Sequence, residues 1–256
     1  RFLLFIDLVI LNSEARVHKA FAANEDFVDK LVTVVSLWCT KEKHRLGDGR
    51  KEQPKLSKKV KIIWPMIDHD SYDQVIFLLC GLAGTRVGIA ALVLTLHAGS
   101  SLTPLFHAIG STLCHERDFT TQEQSLELLC RLFRATIAFL GQDKEDRRRD
   151  KLLSTLPSEV QQVLLHDNIG KMLAAIRPSL TKLNKYNPSI DSFKLESMDY
   201  IVNWVHEEHS VRLRGCDWLD VGADKVQVGF PDCWVSFAIE DIRRVHVEDT
   251  ENPHHG

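Results

Sequence analysis

The six cysteines (Cys39, Cys80, Cys114, Cys130, Cys216 and Cys233) include no C-x-x-C pair, so neither a zinc ribbon nor a thioredoxin-type redox motif is written into the chain. Several lie inside apolar runs such as Phe77-Leu78-Leu79-Cys80 and Leu128-Leu129-Cys130. They are expected to be reduced, buried, small hydrophobes of a nuclear or cytosolic protein. No apolar run reaches the ~18 residues of a membrane-spanning helix. The opening stretch RFLLFIDLVIL is broken by Asp7, and the run from Val87 to Leu96 is too short. The sequence begins at Arg1, without a methionine and inside that apolar stretch, and is expected to be a piece of a longer polypeptide. A large charge imbalance is also missing: the formal net charge is −3. Any attraction to nucleic acid or acidic lipid must therefore come from a local patch.

Catalytic signatures are equally scarce. No G-x-S-x-G is present, and His206-Glu207-Glu208-His209 spaces its histidines three apart at an expected helix end, where a zinc-protease helix needs H-E-x-x-H. The glycine-rich run Gly81-Leu82-Ala83-Gly84-Thr85-Arg86-Val87-Gly88 is followed by no Lys-Ser/Thr and preceded by helix-like rather than strand-like sequence. A tight helix-helix corner is the better reading of it than a phosphate loop. Asp68-His69-Asp70 reads as a polar helix terminus. No catalytic residue, cofactor, metal ligand or small-molecule substrate is assigned from these patterns. The competing reading is an enzyme whose site assembles in space, for example His69, Cys114 and His115 around a metal.

What the sequence does have is helical periodicity. Apolar residues recur at helix spacing from Arg1 to about Glu208, and Gly, Pro, Asn, Asp or Ser stand at the breaks. Helices are predicted over about 1–12, 24–39, 58–67, 72–82, 85–97, 101–109, 120–140, 143–154, 157–166, 168–177 and 191–207. Asn24 is an expected cap, Thr120 or Thr121 opens the longest helix, and Pro178 is expected to end another. In the 120–140 helix, Leu126, Leu129, Leu132, Phe133 and Ile137 share one face. Short amphipathic helices with no strand between them must stack on one another. The expected class is thus mainly α, an armadillo/HEAT-like superhelix, although no clean repeat of ~40–47 residues is visible and an irregular bundle is the alternative.

Residues 41–61 interrupt this pattern. Nine Lys/Arg against three Asp/Glu, with Gly47, Gly49 and Pro54, predict a basic loop. Lys51, Lys55, Lys58, Lys59 and Lys61 are its candidate electrostatic contacts to phosphate or to an acidic protein face. After about Ser210 the pattern changes to two-residue alternation in WLDV, KVQVGF, CWVSFAI and RRVHVED. An antiparallel meander is expected there, with Trp218, Val221, Val226, Val228, Trp234, Phe237, Ile239, Val245 and Val247 as its buried face. Trp204, Trp218 and Trp234 are the expected core of a helix-to-strand junction.

These β segments, in the order Asp217-Trp218-Leu219-Asp220-Val221, Lys225 to Phe230, Trp234 to Ile239 and Arg244 to Glu248, follow a helical region that contains TQEQSLELLCRLFRA. The combination resembles the synaptonemal complex protein 2 family of meiotic chromosome-axis core proteins over roughly Thr120 to Asp249. That resemblance implies an armadillo-like domain over 1–208 and the start of a pleckstrin-homology-like (PH-like) β module over 209–256. It further implies a non-enzymatic, nuclear, chromosome-associated interaction platform that organises chromatin and recruits axis, cohesin or kinetochore components. The alternative is a helical scaffold subunit of another nuclear or cytosolic complex. A complete PH-like domain has more strands than the four or five expected here.

Overall fold

A computed structural model describes residues 15–45, 67–116, 118–139, 145–186, 191–194, 201–206, 209–214, 218–222, 225–229 and 234–242. The chain is mostly helical and divides into two compact units, one of residues 1–116 and 120–188, the other of residues 117–119 and 189–256.

In the helical unit the described helices are α1 (Ala15–Ala22), α2 (Glu25–Arg45), α3 (His69–Ala83), α4 (Arg86–Ala98), α5 (Leu102–Leu113), α6 (Phe119–Phe139), α7 (Glu145–Leu153), α8 (Ser158–Leu164) and α9 (Ile169–Leu183). Side-chain caps begin several of them. Asn24 accepts from the Phe27 amide at 3.0 Å, Asp68 from Ser71, Thr85 from Gly88 and Asn168 from Lys171, each removing one orphan donor of a first turn. α4 ends in a Schellman turn, with the Ser101 amide bonded to the Leu96 carbonyl at 2.8 Å and the Ser100 amide to that of His97 at 3.1 Å. The left-handed position of this turn is held by Ser100 (φ 58°), where glycine is the usual residue.

Four expectations change. α2 continues to Arg45, so the basic stretch starts as helix: the Lys41 ammonium reaches the Ile67 carbonyl at 2.6 Å and Glu42 is buried. Thr121 does not cap α6 but sits inside it, donating to Asp73 Oδ1 at 2.6 Å. α9 runs through Pro178 to Leu183, because the ring costs one amide bond while Met172, Ile176, Leu180 and Leu183 still bury a continuous face. Finally, α6 is apolar on more than one side: Leu126, Leu128, Leu129, Cys130 and Leu132 are all fully buried and Phe133 nearly so, whereas Ile137 is only half-buried. A helix enclosed this completely is the centre of the unit rather than one of its walls. The expected helices 1–12 and 58–67 lie outside the described residues, apart from Ile67, which is not helical.

In the second unit the region expected to be a helix over 191–207 is instead extended. β1 (Asp191–Lys194) and β2 (Ile201–His206) precede β3 (His209–Arg214), β4 (Trp218–Val221), β5 (Lys225–Gly229) and β6 (Trp234–Ala238). Val, Ile and Trp in IVNWVH favour a pleated surface, and this local preference outweighs the apparent helical spacing. The unit division accordingly falls at Pro188/Ser189, against the expected 208/209. β4, β5 and β6 form the anticipated antiparallel meander, and β1 adds to β4 in the order β1-β4-β5-β6. β2 and β3 make a separate hairpin.

Register sorts the sheet residues by face. Phe193, Leu219, Val228 and Val235 form one cross-strand row and Asp191, Val221, Val226 and Phe237 another on the same face. Trp218, Gly229 and Trp234 share a row on the opposite face, next to Asp220 and Gln227. The expected single buried face of Trp218, Val221, Val226, Val228, Trp234 and Phe237 is therefore split, because Trp218 and Val221 differ by an odd number of positions. Ile239 lies beyond β6 in a 3-10 turn and is 39% exposed. Val245 and Val247 lie outside the described residues.

Candidate functional site

The most polar part of the helical interior lies where α2, α3, α5 and α6 meet. Cys39 on α2 donates from its thiol to the Ala108 carbonyl at 3.1 Å and lies 2.7 Å from the Thr112 hydroxyl on α5. Tyr72 on α3 shares a hydrogen bond with Ser125 on α6 at 3.2 Å and stacks on Trp38 with ring centroids 5.9 Å apart. His69 Nε2 is 2.7 Å from Glu116 Oε1, and the Trp38 ring meets the His69 ring edge-on at 5.6 Å. One turn nearer the start of α6, Gln122 donates to the Leu113 carbonyl at 2.6 Å and exchanges two 2.8 Å amide bonds with Asn184.

Each of these groups binds another part of the fold. Such a network fixes which helix faces meet, since sliding any helix would leave a buried donor or acceptor unmade at a cost of about 1–3 kcal/mol. Burial pushes the Tyr72 phenol well above its ordinary range, so it remains protonated at neutral pH. Burial also raises the Cys114 thiol, pushes Cys130 up to about 12, and carries Cys80 higher still. These three thiols are not nucleophiles at neutral pH.

The residues nominated from sequence are placed as follows. Lys51, Lys55, Lys58, Lys59 and Lys61 lie outside the described residues. Trp204 is on β2 opposite Val211, and Trp234 is on β6 opposite Gly229. Trp218 lies with its indole directly over Gly229, so closely that a Cβ there would fall within the ring. Trp218 thus covers a strand glycine inside the sheet, a pairing that stabilises a weak strand position.

The trio His69, Cys114 and His115 does not make a metal centre. His69 is held by Glu116, Cys114 is the half-buried C-cap of α5 and His115 is exposed. Among the described residues no three His, Cys, Asp or Glu side chains converge for a metal ion. The glycine-rich run is a helix corner: α3 and α4 meet at 117°, and a Cβ on Gly88 would strike the Leu82 carbonyl. Among the described residues no single helix is long and apolar enough to cross a membrane.

Sequence reasoning did not foresee the α2–α3–α5–α6 network. Its partners lie as far apart in sequence as Cys39 and Thr112, and each residue type is unremarkable at its own position. The helical unit also exposes large apolar side chains: Val87 (43%) and Leu94 (53%) two turns apart on α4, and Leu165 (48%) and Ile169 (37%) flanking the α8–α9 turn. No protein family, no curated protein and no solved structure matches the chain.

Proposed function

We propose that the chain is a non-enzymatic interaction platform in which an armadillo/HEAT-like helical stack presents surfaces to protein partners and a PH-like β module accompanies it. The observation that carries this reading is the pair Val87 and Leu94, exposed on one line of α4 while Leu92, Val93 and Leu96 on its other side are buried. An apolar stripe seven residues long in register is what a partner helix or loop requires for anchoring. The inward-facing network supports the same reading, since its hydrogen bonds link helix to helix.

The specific setting we propose is the meiotic chromosome axis in the nucleus, with axis, cohesin or kinetochore components as partners and chromatin contact through the basic residues Lys51 to Lys61. What supports it is the order of a helical unit followed by an antiparallel β unit, together with the resemblance of the β4–β6 sequences. A helical scaffold subunit of another nuclear or cytosolic complex is the second reading, and it rests on the same exposed stripe. Affinity capture from meiotic extract with the wild-type chain and with a Val87→Glu/Leu94→Glu variant tests both. Recovery of axis, cohesin or kinetochore proteins that is lost in the variant is the expected result. Recovery unaffected by the variant overturns the assigned surface, and recovery of a different complex overturns the axis assignment.

A further inference from the structure

Between Asp73 and Glu116 the chain holds no Asp or Glu, so α4 and α5 carry no carboxylate side chain. α1, which packs against α4, has none either and exposes Arg16 and Lys19. On α4 itself the ionisable side chains are Arg86 and His97, both exposed. At about 100° per residue, Val87, Leu94 and Ala98 fall on one line of the helix. Arg86 and His97 fall on a second line, about 80–100° to one side of the first. Half-buried Ala90 lies between the two. The outer surface of α4 is thus an apolar ridge edged on one flank by cationic groups, with a small residue where a bulky side chain from outside can seat.

Given the reading of α4 as a docking face, on which this inference rests, we infer that its occupant is an acidic amphipathic helix of a partner protein. Its apolar anchors repeat the Val87–Leu94 interval, and Asp or Glu line the edge that faces Arg86 and His97. Two helices whose apolar residues recur at that interval pack side by side, ridge into groove. Flanking charges then choose the partner. An acidic edge meets cationic side chains and no carboxylate from α1, α4 or α5, whereas a basic edge is repelled. A second copy of this chain fits less well. Antiparallel pairing that sets Val87 against Leu94 of the other copy also brings Arg86 alongside His97 of that copy, so no carboxylate answers Arg86 at either end of the contact.

The test is fluorescence anisotropy with two labelled three-heptad helical peptides. Both carry Leu at each a position and Ala at each d position; one has Glu and the other Lys at e and g. The chain is expected to bind the Glu peptide at least about tenfold more tightly than the Lys peptide. Leu94→Ala is expected to weaken that binding about five- to tenfold. Arg86→Glu combined with His97→Glu is expected to reverse the preference between the peptides, a result that loss of folding cannot produce, and circular dichroism checks each variant. Equal binding of the two peptides, binding of neither, or full affinity in Leu94→Ala overturns the inference. So does a dimer of the chain, seen by sedimentation velocity, that Leu94→Ala dissociates. Extract capture that the Val87→Glu/Leu94→Glu variant loses and the charge-reversed variant keeps leaves the platform reading standing and overturns the acidic partner alone.

Discussion

Substituting alanine at Gly88 separates a structural corner from a phosphate-binding loop. In the interior of an exposed helix this change is favourable by about 0.8–1.0 kcal/mol, the difference in helix propensity. At Gly88 the new methyl would collide with the backbone carbonyl of Leu82, crowd the Thr85 hydroxyl that caps α4, and press on His18 of α1. A carbonyl at the end of α3 cannot rotate away as a side chain can, so α3 and α4 would have to open at their 117° corner. Overpacking of this kind costs about 1–3 kcal/mol, or more where backbone must shift. The clash therefore outweighs the propensity gain, and Gly88→Ala is expected to destabilise the helical unit by about 1–2 kcal/mol. Gly84→Ala is the internal control, because its Cβ meets the Gly81 carbonyl at 3.1 Å and needs a shift of only a few tenths of an ångström. Its cost should stay below about 1 kcal/mol. Urea unfolding monitored by circular dichroism measures both. If Gly88→Ala is neutral or stabilising, the close approach of the α3–α4 corner is refuted.

Three further outcomes follow from the same fold. Ser100→Gly should stabilise the protein by about 0.5 kcal/mol, since relief of the left-handed strain of about 1–2 kcal/mol is partly offset by the greater freedom of glycine in the unfolded chain; thermal unfolding reads this, and a lower midpoint would contradict the turn at φ 58°. Gln122→Ala should cost about 1–3 kcal/mol in chemical denaturation, because it strands the buried Asn184 amide and the Leu113 carbonyl; a loss below about 0.5 kcal/mol would show that the paired amides do not hold α9 to α6. The side-chain hydrogen bond from Ser71, helped by its amide, holds the Asp68 carboxyl below its ordinary range. With the folded pKa depressed, the stabilisation is present above the unfolded value of about 3.9 and is lost as pH falls through the folded value. Asp68→Ala should therefore reduce stability by about 1 kcal/mol at neutral pH and show a smaller deficit in strong acid, and a deficit independent of pH would exclude the ionised cap.

Asn24, named as a cap from the sequence, does accept in the first turn of α2, whereas Asp68 caps an α3 that begins three residues before the expected 72. Misreadings arose where a local signal competed with packing. Pro178 looks like a stop, yet the burial of Ile176, Leu180 and Leu183 carries α9 past it. The 120–140 helix seemed to own one apolar face, and nothing local reveals that Leu128 and Cys130 on its other sides are equally enclosed. In the β unit, strand parity was available all along, because Trp218 and Val221 cannot share a face of a regular strand. Strand partnership was not, since only the folded chain places Asp191 opposite Val221.

Residues 117–119 are grouped with the β unit although the chain on either side of them belongs to the helical one. Asp118, nearly inaccessible, lies 3.6 Å from the Lys225 ammonium, and Phe119 is also buried. The polypeptide thus contributes to its second unit twice, once in passing and once for good. A fragment started at Ser189 would omit that earlier contribution and with it the Asp118–Lys225 ion pair. A cut at 188/189 would yield an incomplete unit, and a separable piece would have to carry residues 117–119 grafted back on.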